Sequence, residues 1–205
     1  MKSTMNITTI YFVRHAQPIS FSEPQPQDVY NMRPLTEQGA QDSLAVAEFL
    51  RGVHVDRFIC SNYTRSIQTI TPAAEERGME IIIDERLRER DGTLAGAGMG
   101  ETRKRWLNMN YVDEGGENIR SVQRRNIEAM RDILELFAGQ TLVIGTHGTA
   151  FSALMNYYDG AWNYVQFRRI VNMLPAVFRV RFAGQCMVDW EQVFALERGY
   201  PKAGK

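Results

Sequence analysis

Short apolar segments that alternate with amphipathic stretches are the feature that most constrains the fold of this 205-residue chain. Four of these segments predict buried strands, at residues 8–13, 55–60, 80–83 and 141–146. Two later segments, 176–182 and 187–193, flank the turn residues Gly184 and Gln185 and predict a β-hairpin. Strands that are separated by helices predict a mostly parallel sheet, because parallel neighbours need a long crossover connection.

The segments after the first two strands carry the signals of helices. Thr36 is the expected N-cap of one helix and Gly52 its expected end; the apolar positions between them are Ala40, Leu44, Ala47 and Leu50. Ser61 or Asn62 is expected to cap the next helix. Pro72 lies inside that helix and is expected to break or kink it.

A longer helix is expected from Glu117 to about Phe137, with Gly139 ending it, and a further helix begins near Thr149. The predicted buried face of the longer helix consists of Ile119, Val122, Ile127, Met130, Ile133, Leu134 and Phe137. This is an amphipathic pattern, and it predicts that the helix covers one face of the sheet.

The order of elements predicts an α/β fold of three layers, with a mostly parallel central sheet, helices on both faces and an antiparallel edge hairpin. Residues 17–34 are polar and contain proline, which indicates a loop. Residues 94–114 contain glycine at 96, 98 and 100 and show no clear period, which indicates an irregular excursion. We therefore expect one domain over residues 1–205, with a small cap insertion at about 94–116.

Charge and cysteine content narrow the class of protein. Twenty-four basic residues balance 24 acidic ones, so no net positive field favours nucleic acid or a membrane. Cys60 and Cys186 lie far apart and are expected to be reduced thiols in cytosol. No apolar stretch reaches the roughly 20 residues that cross a membrane, and the N-terminus has no convincing signal peptide. These features predict a cytoplasmic protein and leave its oligomeric state open.

Polar residues suited to phosphate chemistry follow the ends of the predicted strands. They are Arg14 and His15 after the first strand, Ser61, Asn62 and Arg65 after the second, Glu89 after the third and His147 after the fourth. Ligands of open α/β sheets bind beyond the carboxyl ends of the strands. Because parallel strands place those ends at one edge, these side chains are expected to meet there.

The expected group of residues combines anion binding with acid–base chemistry. Arginine guanidinium groups bind phosphate oxygens in a bidentate geometry. Arg14 and Arg65 also favour the neutral form of His15, and a neutral imidazole is a competent nucleophile toward phosphorus. Glu89 is the candidate proton donor to the leaving oxygen. The ligand that fits is a small phosphorylated molecule.

Six segments of the chain resemble, in order, the motifs of the histidine phosphatase superfamily, the phosphoglycerate-mutase-like proteins. FVRHAQ at residues 12–17 is similar to the R-H-G signature, and GTHG at 145–148 to the segment of the second histidine. The others are RPLTEQG at 33–39, CSNYTRSIQT at 60–69, LRERDGTLAG at 87–96 and GGEN at 115–118. Together they span about three-quarters of the chain.

This resemblance implies a metal-independent enzyme that needs no cofactor. By it, His15 would form a phosphohistidine, Glu89 would be the proton donor, and Arg14, Arg65 and His147 would hold the phosphate oxygens. Ser61 and Asn62 would be secondary phosphate contacts. The segment that carries Glu89 is about one residue shorter than the common form, so Glu85 is the alternative acid.

The sequence leaves several other functions open beside a phosphatase. A phosphoglycerate-type mutase needs a closed pocket with extra cations, and the short excursion favours the phosphatase. Cys60 and Arg65 form C-x4-R, one residue short of the C-x5-R loop of cysteine phosphatases. A non-catalytic phospho-ligand-binding module is the third alternative. Substrate specificity is expected from residues 17–34 and 94–114, whereas Tyr30, Trp106 and Tyr111 are expected to pack in the core.

Overall fold

A six-stranded β-sheet forms the centre of the fold, and its strands end next to the predicted site residues. In the computed structural model, which describes residues 6–23, 25–92, 99–113 and 115–199, six strands have the order β3-β2-β4-β1-β5-β6. They are β1 (Ile7–Arg14), β2 (Arg57–Cys60), β3 (Ile81–Ile83), β4 (Thr141–Thr146), β5 (Met173–Ala183) and β6 (Cys186–Glu197). Strands β1 to β4 pair in parallel, whereas β5 pairs antiparallel with both β1 and β6. The predicted α/β fold with an antiparallel edge hairpin is confirmed.

The register of the parallel strands brings their carboxyl ends to one edge of the sheet. Arg14, the last residue of β1, lies opposite Thr146, the last residue of β4. Cys60, the last residue of β2, lies opposite Gly145 of β4. The segments that follow β1, β2 and β4 therefore begin beside one another, as the strand-end argument requires.

Helices cover both faces of the sheet. The helices within the described residues are α1 (Gln27–Asn31), α2 (Glu37–Arg51), α3 (Thr64–Glu75), α4 (Met99–Leu107), α5 (Ile119–Leu136), α6 (Gly148–Tyr158) and α7 (Tyr164–Ile170). Val143 of β4 packs in a cluster with Leu50 of α2, whereas its neighbour Ile144 packs in another with Met130 of α5. Successive strand residues point to opposite faces, so these two clusters lie on opposite sides of β4.

The helix signals of the sequence are only partly confirmed. Thr36 caps α2 as expected, because its side chain accepts a hydrogen bond from the Gly39 N–H. Helix α3 is instead preceded by Tyr63, without a side-chain cap, so the expected cap at Ser61 or Asn62 is wrong. Pro72 lies inside α3 and does not break it. The buried residues Ile70, Ala73 and Ala74 pack α3 on both sides of the proline, and this packing offsets the loss of one N–H donor.

Other differences concern element boundaries and faces. Helix α5 begins after Asn118, whose side chain accepts from the Ser121 N–H, rather than at Glu117. Leu44 is 53% exposed, whereas Asp42 and Ser43 of the same helix are buried, so the predicted apolar face of α2 was wrong at that position. The hydroxyl of Ser43 donates to a carbonyl of its own helix, which makes its burial tolerable.

The two segments predicted to be irregular contain helices. Helix α1 lies within residues 17–34 and α4 within residues 94–114, and α7 was not anticipated. Positions 93–98 and 114, where the cap insertion was expected to begin and end, lie outside the described residues. Across the described ranges, no helix has the length and apolar character that a membrane span requires.

Candidate active site

A cavity of about 430 Å³ opens at the carboxyl edge of the parallel strands. Four of the predicted site residues, Arg14, His15, Arg65 and Glu89, lie in its wall. Arg33, Arg90, Arg105 and Arg168 also contribute to the wall. Among the described residues that line it, these six arginines stand against the single carboxylate of Glu89, so the cavity is suited to an anionic ligand.

The end of β1 fixes the orientation of the His15 ring. The His15 N–H donates to the Thr146 carbonyl over 3.2 Å, and the next N–H, of Ala16, donates to Thr69 Oγ1 over 2.9 Å. In the side chain, Nδ1 lies 2.7 Å from the Ala16 carbonyl oxygen. A carbonyl only accepts, so this contact selects the tautomer with the proton on Nδ1. The Nε2 atom then carries the lone pair.

His15 is held in the neutral form by its surroundings. Its side chain is 1% exposed. Burial, and after it the positive charges of Arg65 and Arg14, lower the pKa of His15 well below the usual 6.5. The hydrogen bond to the Ala16 carbonyl opposes this effect, and the charge of Arg33 adds to it. The imidazole is therefore neutral at pH 7 and has a nucleophilic nitrogen in an electropositive cavity.

Backbone carbonyls orient the two guanidinium groups beside His15. Arg14 donates to the carbonyl oxygens of Ile170, Val171 and Met173, which lie at and after the end of α7. Arg65 donates through Nη1 to the Asn31 carbonyl over 2.9 Å. Contacts of this kind fix the planes of both forks before a ligand binds, which reduces the entropy cost of binding.

A glycine at the start of α6 allows Arg14 to approach the helix closely. A Cβ atom at Gly148 would lie 3.2 Å from the Arg14 guanidinium. This is tighter than most contacts of real Cβ atoms, so a side chain here would have to displace the guanidinium. The close packing of Arg14 against α6 therefore explains why the last position of the GTHG segment is a glycine, Gly148.

His147 lies beside His15 at the end of β4. The centroids of the two rings are 5.2 Å apart, and His147 is fully buried. Its Nε2 is 2.7 Å from Ser61 Oγ, whereas its Nδ1 has no hydrogen-bond partner among the residues that the structure describes. Burial, and after it the charge of Arg65, lower the pKa of His147 well below 6.5. A buried ring nitrogen without a partner is uncommon in folded proteins, and His147 lies outside the cavity wall, next to His15.

The Glu89 carboxylate lies at the N-terminus of α6, the helix that begins directly after His147. Its Oε2 accepts from the Thr149 N–H over 3.0 Å, and its Oε1 accepts from the N–H groups of Ala150 (3.1 Å) and Arg90 (2.8 Å). A helix N-terminus favours a negative charge. The alternative acid, Glu85, is exposed and does not line the cavity.

The structure places the two candidate secondary contacts behind the cavity. Ser61 is fully buried and its hydroxyl contacts His147, while Asn62 does not line the cavity. Cys60 is also fully buried, and its thiol donates to Ser66 Oγ over 3.4 Å. Burial raises the pKa of the Cys60 thiol to about 12. A thiol with this pKa is a poor nucleophile at neutral pH, which disfavours a cysteine phosphatase.

Sequence reasoning missed several residues of the wall. Arg33 is 6% exposed, and its guanidinium lies 4.1 Å from the centroid of the Tyr30 ring, in a stacking contact. Trp106 packs in a hydrophobic core cluster, as expected, and also lines the cavity, whereas Tyr30 was assigned to the core and is a half-buried residue of the cavity wall. Tyr111 does not line it; its hydroxyl contacts Lys104 and Glu101 instead. The sequence signals for Arg33 were its place shortly before the N-cap Thr36 and at the start of the RPLTEQG segment, and neither is specific for a cavity residue.

The described residues contain no group of three or more His, Cys, Asp and Glu side chains that could hold a metal ion. The cavity residues by themselves supply a nucleophile, an acid–base group and cationic donors.

A nucleophilic histidine and guanidinium groups at the strand ends of a three-layer α/β fold define a class of phosphoryl-transfer proteins. The family model of the histidine phosphatase superfamily (branch 1) matches residues 10–188. The chain belongs to this superfamily. The expected resemblance is thereby confirmed.

Individual relatives are similar to the chain over most of its length. A probable phosphoglycerate mutase GpmB of Enterobacter sp. (strain 638) is 30% identical over 176 residues, which cover 78% of each chain. Among solved structures, a mycobacterial glucosyl-3-phosphoglycerate phosphatase has a TM-score of 0.72 at 18% identity and covers 94% of this chain and 100% of its own. YhfR of Bacillus stearothermophilus has a TM-score of 0.66 at 23% identity and covers 95% and 98%. At these identities, the two structures support the fold alone.

Proposed function

We propose that this protein is a phosphomonoester hydrolase that acts through a phosphohistidine on His15. One observation carries the proposal: the Nε2 atom of a buried, neutral His15 stands in a cavity with the guanidinium groups of Arg14 and Arg65 and the carboxyl group of Glu89. The substrate is a small phosphorylated molecule. We extend the proposal to a single domain over residues 1–205 with its cap insertion, and to a cytosolic location.

In the first step, the Nε2 lone pair of His15 attacks phosphorus in line with the leaving alcohol. The bond between phosphorus and the ester oxygen breaks, and its electron pair goes to that oxygen. Glu89 enters this step protonated and gives its proton to that oxygen, so that a neutral alcohol leaves and Glu89 becomes the carboxylate that the second step uses. Arg14, Arg65 and the Nδ1 side of His147 stabilise the charge on the equatorial oxygens, and Ser61 holds the His147 ring.

In the second step, a water molecule attacks the phosphohistidine. The Glu89 carboxylate takes a proton from the water as its oxygen bonds to phosphorus. The bond between nitrogen and phosphorus breaks, its electron pair returns to His15 Nε2, and orthophosphate leaves. The proton stays on Nδ1, which donates to the Ala16 carbonyl through both steps, so His15 returns to the same neutral tautomer.

A phosphoglycerate-type mutase is the second candidate function. Two observations favour it: the excess of arginines in the cavity wall, and the relatives that carry the name probable phosphoglycerate mutase. A mutase returns the phosphoryl group to the bound acceptor instead of water. Arg90 and Arg105 are both paired with Asp113, whose single carboxylate offsets one of their two charges. This reduces the excess of cations that a mutase needs and favours the hydrolase.

A test compares phosphate release with phosphoglycerate isomerisation for the purified protein. Alkaline quenching during turnover should trap a phosphoenzyme, and peptide mapping should locate the phosphoryl group at His15. The hydrolase reaction should persist in the presence of a chelator. Isomerisation that is faster than phosphate release would replace the hydrolase by the mutase. Absence of both activities and of the phosphoenzyme over a panel of sugar phosphates, phosphoglycerates, nucleotides and phosphopeptides would leave only the binding module.

A further inference from the structure

The main chain that leads to Glu89 is held by a single arginine of α5. Arg125 donates through Nη1 to the carbonyl oxygens of Arg86 (2.7 Å) and Arg88 (2.6 Å), and through Nη2 to the carbonyl of Glu89 itself (3.0 Å). The segment has no regular structure of its own after a short 3-10 turn at Glu85–Leu87. Its conformation therefore depends on contacts with its neighbours, and Arg125 supplies three of them.

The guanidinium group is itself fixed by a carboxylate on the other side. Glu117 accepts from Nε of Arg125 through Oε1 and from Nη2 through Oε2, both over 2.9 Å. The side chains are only 11% and 14% exposed, respectively for Arg125 and Glu117. These five contacts engage Nε and both Nη atoms of the planar fork. A lysine at this position has one charged nitrogen and three donors, so it cannot reproduce the arrangement.

Glu89 is thus held by hydrogen bonds from two helices, α5 and α6. Its main-chain carbonyl is held by α5 through Arg125, while its carboxylate accepts from the N–H groups of Thr149 and Ala150 in the first turn of α6. The two helices are joined directly, because Gln123 of α5 donates to the Ala153 carbonyl of α6 over 2.9 Å. The distance from the carboxyl group to the end of β4, and so to His15, is set by this frame.

We propose that Arg125 is a positioning residue for proton transfer: it fixes the backbone at Glu89 so that the carboxyl group meets the ester oxygen of the substrate. The inference depends on the proposed role of Glu89 and adds to it a residue that lies outside the cavity wall. General acid catalysis contributes typically about 10²- to 10⁴-fold, and a displacement of about 1 Å can cost about 100-fold.

A positioning role and a purely structural role differ in how they depend on the leaving group. An alkyl phosphate, such as glycerol phosphate, needs a proton on its leaving oxygen. 2,4-Dinitrophenyl phosphate loses a stable anion and does not need one. The ratio of kcat/KM for the two substrates, measured on the same sample, is independent of the fraction of folded protein. A change in this ratio therefore reports on proton transfer and not on folding.

The experiment measures this ratio for the wild type, Arg125→Lys, Glu89→Gln, the double variant and the control Arg86→Lys. Arg86 belongs to the same segment, but its side chain binds Asp84 and Asp132. Arg125→Lys should lower kcat/KM for glycerol phosphate about 30- to 100-fold and change that for the dinitrophenyl ester by less than about threefold. The double variant should have the ratio of Glu89→Gln alone, and Arg86→Lys that of the wild type.

Two results would overturn the inference while the role of Glu89 stands. The first is an equal loss of kcat/KM for both substrates in Arg125→Lys. The second is a change of the ratio in Arg86→Lys that is as large as the change in Arg125→Lys. In both cases Glu89→Gln shows the expected ratio. An unchanged ratio in Glu89→Gln would instead remove Glu89 as the acid, and the inference with it. A phosphoenzyme at His15 would still be trapped in that case, so the two failures are distinguishable.

Discussion

The two ends of the cavity are built from different parts of the chain. The inner end consists of Arg14, His15 and Arg65, with His147 beside His15 but outside the cavity wall. These residues come from strand ends and the first turn of α3 and are all at most 2% exposed. The outer end is formed by residues between the sheet elements, such as Ser20, Tyr30, Thr102 and Arg168, which are half-buried or exposed. The inner residues are therefore held in one geometry by many contacts, whereas the outer residues are open to solvent.

This difference separates the chemical step from substrate choice. In the proposed reaction, the inner end stabilises charge on the phosphoryl group, which every substrate shares, and its burial makes each electrostatic contact strong. The outer end meets the alcohol part, which differs between substrates, through contacts that water screens. Changes at the inner end should reduce turnover of all substrates alike, and changes at the outer end should alter affinity for some.

The largest effect is expected from His15→Ala at the inner end. Loss of the nucleophile should reduce kcat by at least about 10⁴-fold for every substrate. The matched control is His54→Ala, because His54 is exposed, contacts Asp56 and does not line the cavity. Steady-state phosphate release on a panel of esters measures both. More than a few per cent of residual activity in His15→Ala would remove this residue from the mechanism.

The inner end was largely predictable from the sequence because strand ends are a topological property. Residues 14, 15 and 147 directly follow apolar segments, and parallel pairing alone brings such positions together, as the register of Arg14 with Thr146 illustrates. The structure places Arg14 and His15 in the cavity wall and His147 beside His15, and the chemical roles of these residues stay predictions.

The outer end was less predictable because tertiary contacts determine it. Helix α7 carries a capping box between Asn163 and Gln166, a readable signal that was missed. Its position, however, depends on Arg14, which binds carbonyls at the end of α7 from 156 or more residues away. No local pattern contains such a contact. The same holds for Arg33, whose stacking on Tyr30 depends on how the loop folds.

A second inner-end variant, Arg65→Lys, should have a smaller but uniform effect. Lysine keeps the charge and loses the bidentate fork, so we expect kcat/KM to fall about 100-fold for all phosphomonoesters alike. The control is Arg77→Lys, because Arg77 follows α3 and binds only the backbone carbonyls of Ala73 and Leu50. Kinetics on an alkyl and an aryl ester provide the measurement. A loss confined to one ester would contradict the separation of the two ends.

The pH dependence of stability tests the burial of the inner end. His15 and His147 have pKa values well below 6.5 in the folded protein and about 6.5 when unfolded. The unfolded state therefore binds more protons below pH 6.5, so the free energy of unfolding should fall as the pH decreases through that value. Each imidazole contributes up to about 1.4 kcal/mol per pH unit. Urea unfolding between pH 8 and 5 measures this. A flat profile would mean that the two rings are not buried as neutral groups.

The smallest effect is expected at the outer end, from Arg168→Gln. Arg168 is exposed and lines the cavity, whereas the next residue, Arg169, is equally exposed and does not line it. Because water screens an exposed charge, we expect KM to rise only about two- to fivefold, and only for substrates whose alcohol part carries a second anionic group. Arg169→Gln should leave KM unchanged, and kcat should stay the same in both variants. A fall in kcat for para-nitrophenyl phosphate, which has no such group, would place Arg168 with the inner end and remove the distinction between the two regions.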